Sequence, residues 1–466
     1  MRRLRYPSGD LWRHGDFMKL WSGQTISEFG SAISQLALPT IAVLVLHASA
    51  FQVALLGTIE FLPFLLFTLP AGVWVDRLPR RSVLIVGDFG RGALGVSVPI
   101  AYAFGGLHLP QLYVVGFLTG ILTVFFDVAY QSYLPSLVAR ERLVEGNSKL
   151  EVTRSGAQLA GPGLAGGLIS LVTAPYAVFV DTASFIVSGG FLLRIRKQEL
   201  PVENKDDGRR PGLRTELWEG LRYVLGHRLL RPQAISTGTS NFFSNVSFSI
   251  FLVYAYRRLG LSAGLVGLAF SLGNLGWMLG AAGSSRLQRR LGVGKTTMLG
   301  AACSGPGLLL VPLAPKSFPL PMIIAGGILG GFGAVVYNIA QVSLRQAITP
   351  ERIQGRMNSV MRFLVWGTIP LGSLTGGALA STIGLRSTLF VGAFGAFISL
   401  LPIVLSPIRK LQEFPAPEEP VLPTIASAEG GLAPAAGAGM DGGATAGAGP
   451  AEAQDSKAAE QVSERR

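Results

Sequence analysis

The feature that most constrains this chain is a series of about twelve long apolar segments, separated by short polar breaks. Each has about the 17–25 residues that an α-helix needs to cross roughly 30 Å of hydrocarbon. We expect helices rather than strands, because lipid offers an open backbone no hydrogen-bond partner. The predicted spans lie near residues 20–46, 52–75, 82–104, 110–133, 147–171, 175–195, 233–256, 262–284, 296–314, 319–341, 358–381 and 385–407. The sequence therefore predicts an all-α membrane protein with 12 transmembrane helices.

Composition supports this class and argues against several others. Charged residues make up 14% of the chain and hydrophobic residues 49%, whereas soluble domains carry about 25% charged residues. The single cysteine, Cys303, excludes an internal disulfide framework and cysteine-rich zinc sites. Four histidines leave little material for a metal centre. We therefore expect no cofactor, no metal and no enzymatic activity.

Basic residues are divided unequally between the two predicted sides of the membrane. If the N-terminus is inside, the inside segments hold 32 Lys and Arg, and the outside segments hold four. The four outside residues are Arg257, Arg258, Lys316 and Arg386. Such asymmetry is the positive-inside rule, and it predicts that both termini are cytoplasmic. The net charge of +13 is thereby explained without a nucleic-acid partner.

A repeat near 210 residues divides the chain into two halves. The segment from Asp76 to Arg81 corresponds to the segment from Ser285 to Arg290, and three further matches keep nearly the same register. Two six-helix halves with a ligand site at their interface are typical of secondary transporters. The predicted organisation is an N-terminal bundle at 1–195, a cytoplasmic loop with a basic amphipathic helix at 196–232, a C-terminal bundle at 233–408, and a disordered cytoplasmic tail at 409–466.

Two motifs carry a family resemblance. The segment from Gly72 to Arg81 resembles motif A of the major facilitator superfamily, although Pro79 stands where the family has Gly. Span five resembles the antiporter motif of the drug:proton antiporter branch, with Ala165 replacing one glycine. Its motif residues are Gly161, Pro162, Gly166 and Gly167. Together with stretches in spans one, four and six, the chain is similar to a bacterial exporter subgroup that includes macrolide efflux proteins and a siderophore exporter.

The resemblance implies a gate at the cytoplasmic ends of the helices. In this family Asp76 would pair with Arg80, and an acid near the inner end of span four, here Asp127, would help to lock the halves. The predicted gating residues are Gly72, Asp76, Arg77, Arg80, Arg81 and Asp127. The alternative is that the arginines only anchor the topology, but anchoring does not need Asp76. For the antiporter motif, close helix packing and a kink at Pro162 are compatible with a gating role.

Acidic residues within the predicted spans are functional candidates, because a charge is costly in the membrane. They all lie in the first half: Glu28, Glu60, Asp88, Asp127 and Asp181. We predict that Glu28, Glu60 and Asp181 couple transport to protons. Glu28 ranks first, since helix one lines the cavity in the superfamily, although a structural pairing with a neighbouring helix is the alternative. Asp88 and Arg91, three residues apart, are expected to pair with each other.

The second half differs, because no Asp or Glu occurs from Leu221 to Pro350. The predicted cavity residues, neutral and mostly in this half, are Gln24, Asn241, Asn245, Asn274, Trp277 and Asn338. Such a cavity suits bulky uncharged or cationic ligands.

We predict a monomeric transporter in the bacterial plasma membrane that exports small amphipathic molecules by alternating access and proton antiport. Its partners would be substrate, protons and lipid. The alternatives are a dedicated exporter of one natural product or siderophore, and a non-transporting receptor or scaffold.

Overall fold

The computed structural model describes residues 11–75, 77–197 and 213–415, which form helices and contain no strand. The all-α prediction is therefore confirmed for this part of the chain. Asp76, residues 198–212 of the predicted central loop and residues 416–466 of the predicted tail lie outside the described residues. The helices of the first half are α1 (Gly15–Thr40), α2 (Ala50–Val75), α3 (Arg80–Ala103), α4 (Leu109–Leu137), α5 (Leu143–Val172) and α6 (Ala174–Leu193).

The second half is preceded by one further helix and contains several broken ones. The remaining helices are α7 (Leu213–Gly226), α8 (Leu230–Arg257), α9 (Ala263–Gly273), α10 (Leu275–Leu313), α11 (Leu320–Ile348), α12 (Glu351–Trp366), α13 (Thr368–Thr382), α14 (Leu385–Ile398) and α15 (Leu401–Val404). A π-helical segment at Ile41–Val45 and short helical turns at Leu11–Arg13, Arg140–Arg142 and Pro407–Lys410 complete the described secondary structure.

Nine helical runs in the described residues are long and apolar enough to cross a membrane. One of them, Ala263–Leu313, has 51 residues and contains two predicted spans. Helices α5 and α8 are not among the nine, yet with 30 and 28 residues they are as long as their neighbours. These runs together account for the twelve predicted spans.

The long run Ala263–Leu313 turns back at a single glycine. Gly292 has φ +78° and ψ 169°, a conformation that residues with a side chain rarely adopt. A Cβ at this position would also meet the backbone of Gln412. The predicted polar break at residues 285–295 is thus helical on both sides of one sharp turn. A second interruption, at Asn274, separates α9 from α10 within the predicted membrane region.

The hydrophobic core shows where the two halves meet. One cluster is shared by the halves and includes Ile41 and Ile169 from the first, and Val253 and Val266 from the second. These residues lie near the loops at 46–49, 173, 258–262 and 383–384, an end of the bundle that we call the closed end. At the opposite end, which we call the basic end, each half has a separate core cluster. The halves are therefore joined mainly at the closed end.

Helix α7 covers part of the second half at the basic end. Its Gly220 faces the α12 backbone at Arg356, and its Val224 is fully buried in the core cluster of that half. Glu219 forms an ion pair with Arg356. Trp218 on the same helix remains exposed. The helix thus packs one face on α12 and leaves an aromatic side chain free at its surface.

Candidate functional site

At the closed end, α5 of the first half packs against α9 and the start of α10. A Cβ added to Gly166 would lie 2.9 Å from the Cα of Gly267, so the two backbones touch. The amide of Gly163 donates to the Ser271 hydroxyl at 2.8 Å. Where α9 ends, the Asn274 side-chain amide donates to the Gln158 carbonyl at 2.7 Å. Small residues and hydrogen bonds between helices are how membrane helices approach closely.

A second set of contacts joins α1 to α8 at the same end. The hydroxyls of Thr40 and Tyr256 are 2.8 Å apart. The guanidinium of Arg257 donates to the carbonyl of Ala48 at 2.7 Å and to that of Val43 at 3.3 Å. The sequence analysis did not assign Arg257 a role. Its position among the four bases on the predicted outside was the available signal, because such a residue opposes the positive-inside rule.

The antiporter-motif residues face two different neighbours. Gly161 contacts Ala32 of α1 within the first half. The carbonyl of Pro162 lies against Gly267 of the second half, next to the Gly166 contact. Gly167, in contrast, has open space where a Cβ would project. Three of the four motif residues therefore pack α5 between its own bundle and the other one.

The motif A residues lie around the α2–α3 turn at the basic end. Arg81 donates from Nε and Nη2 to the carbonyls of Leu192 and Leu193, at 3.1 and 2.8 Å. A guanidinium on these final carbonyls stabilises the C-terminus of α6. Gly72 has open space around its Cα, and Arg77 is exposed. Arg80 is half-buried, and its predicted partner Asp76 lies outside the described residues.

A buried arginine occupies the centre of the first half. Arg91 is only 5% exposed, and it pairs with the fully buried Asp88 at 2.5 Å. Its guanidinium also stacks on two rings, 4.2 Å from the centroid of Phe126 and 4.3 Å from that of Phe185. Arg91 further interacts electrostatically with Asp127 and Asp181. The expected Asp88–Arg91 pair thus belongs to a larger group of charges.

Glu28 and Asp127 belong to the same electrostatic group. Glu28 is half-buried and accepts a hydrogen bond from Gln24 at 2.9 Å. Asp127 interacts electrostatically with Glu28 and Arg154, and part of its side-chain surface is not covered by other residues. Because α4 continues for ten residues beyond Asp127, this acid lies about 15 Å from the helix end. The helix thus extends past the predicted end of span four near residue 133, and the gating role of Asp127 stays a prediction.

The other two predicted proton-coupling acids are more enclosed. Asp181 is 6% exposed and accepts a hydrogen bond from the Ser184 hydroxyl at 3.3 Å. Glu60 lies between α2 and α4, where its Cγ is 2.9 Å from the position of a Cβ added to Gly116. Its Oε1 is buried and has no hydrogen-bond partner. Glu60 is thus separated from the Arg91 group by the packing of these two helices.

A cavity of about 730 Å³ lies in the second half. All of its described lining residues come from α8 to α14, and none is a carboxylate. Towards the closed end the walls are apolar, with Phe251, Ile323 and Leu389. Towards the basic end they carry Gln341, Arg345 and Arg362. The volume is typical of sites for small organic molecules, and the lining is amphipathic along its length.

Four of the six predicted cavity residues line this cavity: Asn241, Asn274, Trp277 and Asn338. Asn245 does not: its Cβ packs against Gly372 of α13, and its amide donates to the carbonyl of Asn241 at 2.8 Å. Gln24 also lies elsewhere, bonded to Glu28 in the first half. The sequence analysis missed the aromatic side chains of Phe248, Phe270 and Trp366. Apolar residues of this kind cannot be distinguished from lipid-facing ones by composition.

No group of metal-ligating side chains occurs among the residues that the structure describes. The structure contains a cavity in the second half and a group of acids in the first half. The two halves pack directly against each other at the closed end.

Comparisons with known proteins agree with this architecture. Residues 11–427 match the model of a family described as transmembrane secretion effector. The multidrug efflux pump Tap of Mycolicibacterium fortuitum is 29% identical over 411 residues, covering 84% of this chain and 95% of that protein. Macrolide efflux protein A of Streptococcus pyogenes is 24% identical over 405 residues, covering 85% and 97%. A bacterial homologue of the iron transporter ferroportin, solved in an inward-facing state, has a TM-score of 0.66 at 18% identity, covering 84% and 98%.

Proposed function

The chain belongs to the transmembrane secretion effector family of the major facilitator superfamily, and from this premise we propose that it is a proton-coupled exporter of small amphipathic organic molecules. Membership makes it a multi-pass membrane transporter whose relatives are efflux pumps. The coupling ion, the direction and the substrate class are the proposed parts. They are argued below from the positions of the acids, the cavity and the contacts between the halves.

One observation carries the proposal: the ligand cavity and the membrane carboxylates occupy different halves that touch at one end. The cavity is lined by the second half, whereas Glu28, Asp127 and Asp181 lie in the first. Ligand and proton can therefore act on the same conformational equilibrium without sharing a site. Each would shift the equilibrium by its different affinity for the two states, as coupling between sites requires.

We assign the basic end to the cytoplasm, on the distribution of lysine and arginine. The state observed is then closed towards the outside by the α5–α9 and α1–α8 contacts. A cavity whose polar walls lie towards the basic end would accept ligand from the cytoplasm in this state. Opening of the closed end would release it outside, as alternating access requires.

The proton step is proposed for the Glu28–Asp127 pair. Both carboxylates lie in helices of the first half that are long enough to span a membrane, where a charged group is costly. Asp127 lies in the half of α4 that is nearer the basic end, so a proton would leave it towards the cytoplasm. Loss of the proton restores the charge next to Arg91. Protonation from the outside in the alternate state would then complete antiport.

Transport in proteoliposomes tests the proposal. The full-length protein would be reconstituted, a pH gradient with an acidic lumen imposed, and accumulation of erythromycin, ethidium and the amphipathic anion dansylglycine measured. We expect accumulation of at least one compound that collapses when a protonophore dissipates the gradient. Matched liposomes without protein control for passive trapping of a weak base. Flux that is unchanged by the protonophore would contradict proton coupling, and no protein-dependent flux of any of the three compounds would contradict export of such molecules.

A further inference from the structure

One half-buried cation in the wall of the second-half cavity, Arg345, has no described partner. Arg345 lies in the last turn of α11, is half-buried and lines the cavity. Its Nε is buried and lacks a hydrogen-bond acceptor. Within the part of the chain that the structure describes, no ion pair involves this side chain. A buried donor without an acceptor is costly, and a bound ligand can supply the missing acceptor.

The surroundings of Arg345 differ from those of the exposed arginines of α10 at the same end. Arg286, Arg289 and Arg290 are exposed, as topology anchors are expected to be. Arg345 instead borders the cavity, whose described lining contains a second arginine, Arg362, and no acid. No Asp or Glu occurs between Leu221 and Pro350. The described lining of the cavity therefore carries two arginines and no acid at its basic end.

The apolar end of the cavity indicates what kind of ligand body it would bind. Ile323 and Arg345 are 22 residues apart on α11, or roughly 33 Å by helix rise. Between them lie aromatic walls from Phe248, Phe270 and Trp277. A ligand aligned with this gradient has an aromatic or apolar body and a negative group at one end. Guanidinium groups bind carboxylate, sulfonate and phosphate through paired hydrogen bonds.

We propose that the second-half cavity selects amphipathic organic anions and that Arg345 binds their negative group. This inference rests on the proposed export function and specifies its substrate class. It replaces the expectation from sequence that the cavity favours uncharged or cationic ligands. That expectation counted the asparagines and Trp277 but not the two arginines, which were assigned to topology. Arg362, stacked 5.3 Å from the Trp366 ring centroid, would be a secondary contact.

Three probes with one fluorescent body and different charges test the proposal. They are dansylglycine, an anion; dansylamide, which is neutral; and dansylcadaverine, a cation. Affinity for the full-length protein in nanodiscs would be measured at neutral pH. Because a hydrogen bond to a charged group is stronger than a neutral one, we expect dansylglycine to bind about tenfold to a hundredfold tighter than dansylamide. Dansylcadaverine should bind most weakly.

Substitutions then assign the preference to one residue. Arg345→Gln should bring dansylglycine to within about twofold of dansylamide, while the affinity for dansylamide stays unchanged and reports an intact cavity. Arg345→Lys keeps the charge at the helix end but loses the paired geometry, so an intermediate preference is expected. Arg289→Gln removes an exposed arginine from the same end and should change nothing.

The outcomes separate this inference from the proposed function. A wild-type protein that fails to bind dansylglycine, or prefers dansylcadaverine, overturns the anion site, as does an Arg345→Gln variant that keeps the preference. Gradient-driven flux of erythromycin or ethidium together with either result would leave export standing. Selective binding of dansylglycine without gradient-driven flux of any compound would instead overturn export and leave the anion site.

Discussion

The two halves repeat one six-helix architecture but place their charges in opposite ways. The first half gathers carboxylates around a buried arginine, Arg91. The second places two arginines in the wall of a cavity whose described lining has no carboxylate. Apolar patterning and small-residue packing, which both halves share, are sufficient for the fold. A few polar positions distinguish what each half does, which is why function must be argued from sites rather than from folds.

Helices α4 and α11 show the divergence at single positions. Both have 29 residues, and when their ends are aligned, Asp127 corresponds to Asn338. An acid in the charged cluster of one half is thus an isosteric amide in the cavity wall of the other. Similarly, α6 begins at Ala174 and α14 at Leu385, so that Asp181 corresponds to Gly392. The same backbone positions are used for charge in one half and for neutral contacts in the other.

The largest effect is expected when the buried ion pair of the first half, Asp88–Arg91, is removed. Arg91→Met leaves Asp88 buried without its partner, which should lower the free energy of unfolding by about 3–5 kcal/mol. The double variant Asp88→Asn with Arg91→Met should recover part of this loss, because no unpaired charge remains. Thermal unfolding in detergent would measure both. If Arg91→Met unfolds like the wild type, the charged cluster does not hold the first half together.

The next effect concerns coupling. Glu28→Gln removes a titratable group from the Glu28–Asp127 pair but keeps its shape and its contact with Gln24. We expect gradient-driven transport to fall by about 100-fold, equivalent to roughly 2.7 kcal/mol, while downhill exchange of ligand continues. Proteoliposome flux with and without a pH gradient measures the two activities separately.

Variants of the other acids rank them against Glu28. Glu60→Gln and Asp181→Asn should have smaller effects on gradient-driven flux, since Glu60 is isolated between α2 and α4 and Asp181 is enclosed. Full gradient-driven transport by Glu28→Gln, with loss in Asp181→Asn, would transfer the proton role to α6.

An intermediate effect is expected at the contact that joins the halves. Gly166→Ala would place a methyl group 2.9 Å from the Gly267 Cα, and overpacking of this kind costs about 1–3 kcal/mol. Because the contact exists at the closed end, the conformational equilibrium should shift towards opening there. Spin labels would be attached to cysteines introduced at Ser49 and Lys316 in a Cys303→Ala background. Electron–electron distance measurements should then show a larger population of long distances in Gly166→Ala than in the parent protein.

The same motif provides the control for this shift. Gly167→Ala gains the same helix propensity but projects into open space, so its distance distribution should match that of the parent protein. Equal shifts in both variants would mean that the effect comes from helix propensity and not from the contact with Gly267.

Sequence patterns predicted the helices better than the faces they present. Hydropathy located the spans, because crossing a bilayer requires a minimum apolar length. It could not show that Asn241 lines the cavity while Asn245, one turn further along the same face, packs against Gly372 of α13, because the neighbouring helix decides what each residue meets. Asp88 and Arg91 were expected to pair from their spacing alone. Their interaction with Asp127 and Asp181 depends on how α3, α4 and α6 pack, which no local pattern contains.

The smallest expected effect tests the contrast between the two halves most directly. It places in the cavity wall, at Asn338 of α11, the acid that α4 carries at the corresponding position, Asp127. Asn338→Asp places a carboxylate seven residues from Arg345, about 10 Å along α11. At an effective dielectric constant between about 20 and 80, this charge would disfavour an anion at Arg345 by roughly 0.4–1.7 kcal/mol. Dansylglycine affinity should therefore fall about twofold to fifteenfold, and dansylcadaverine affinity should rise. Asn245→Asp adds the same charge to a residue outside the cavity lining and should have less effect. If the two variants behave alike, or if Asn338→Asp leaves both affinities unchanged, the charge of the cavity does not select its ligand, and the contrast between the halves has no consequence for recognition.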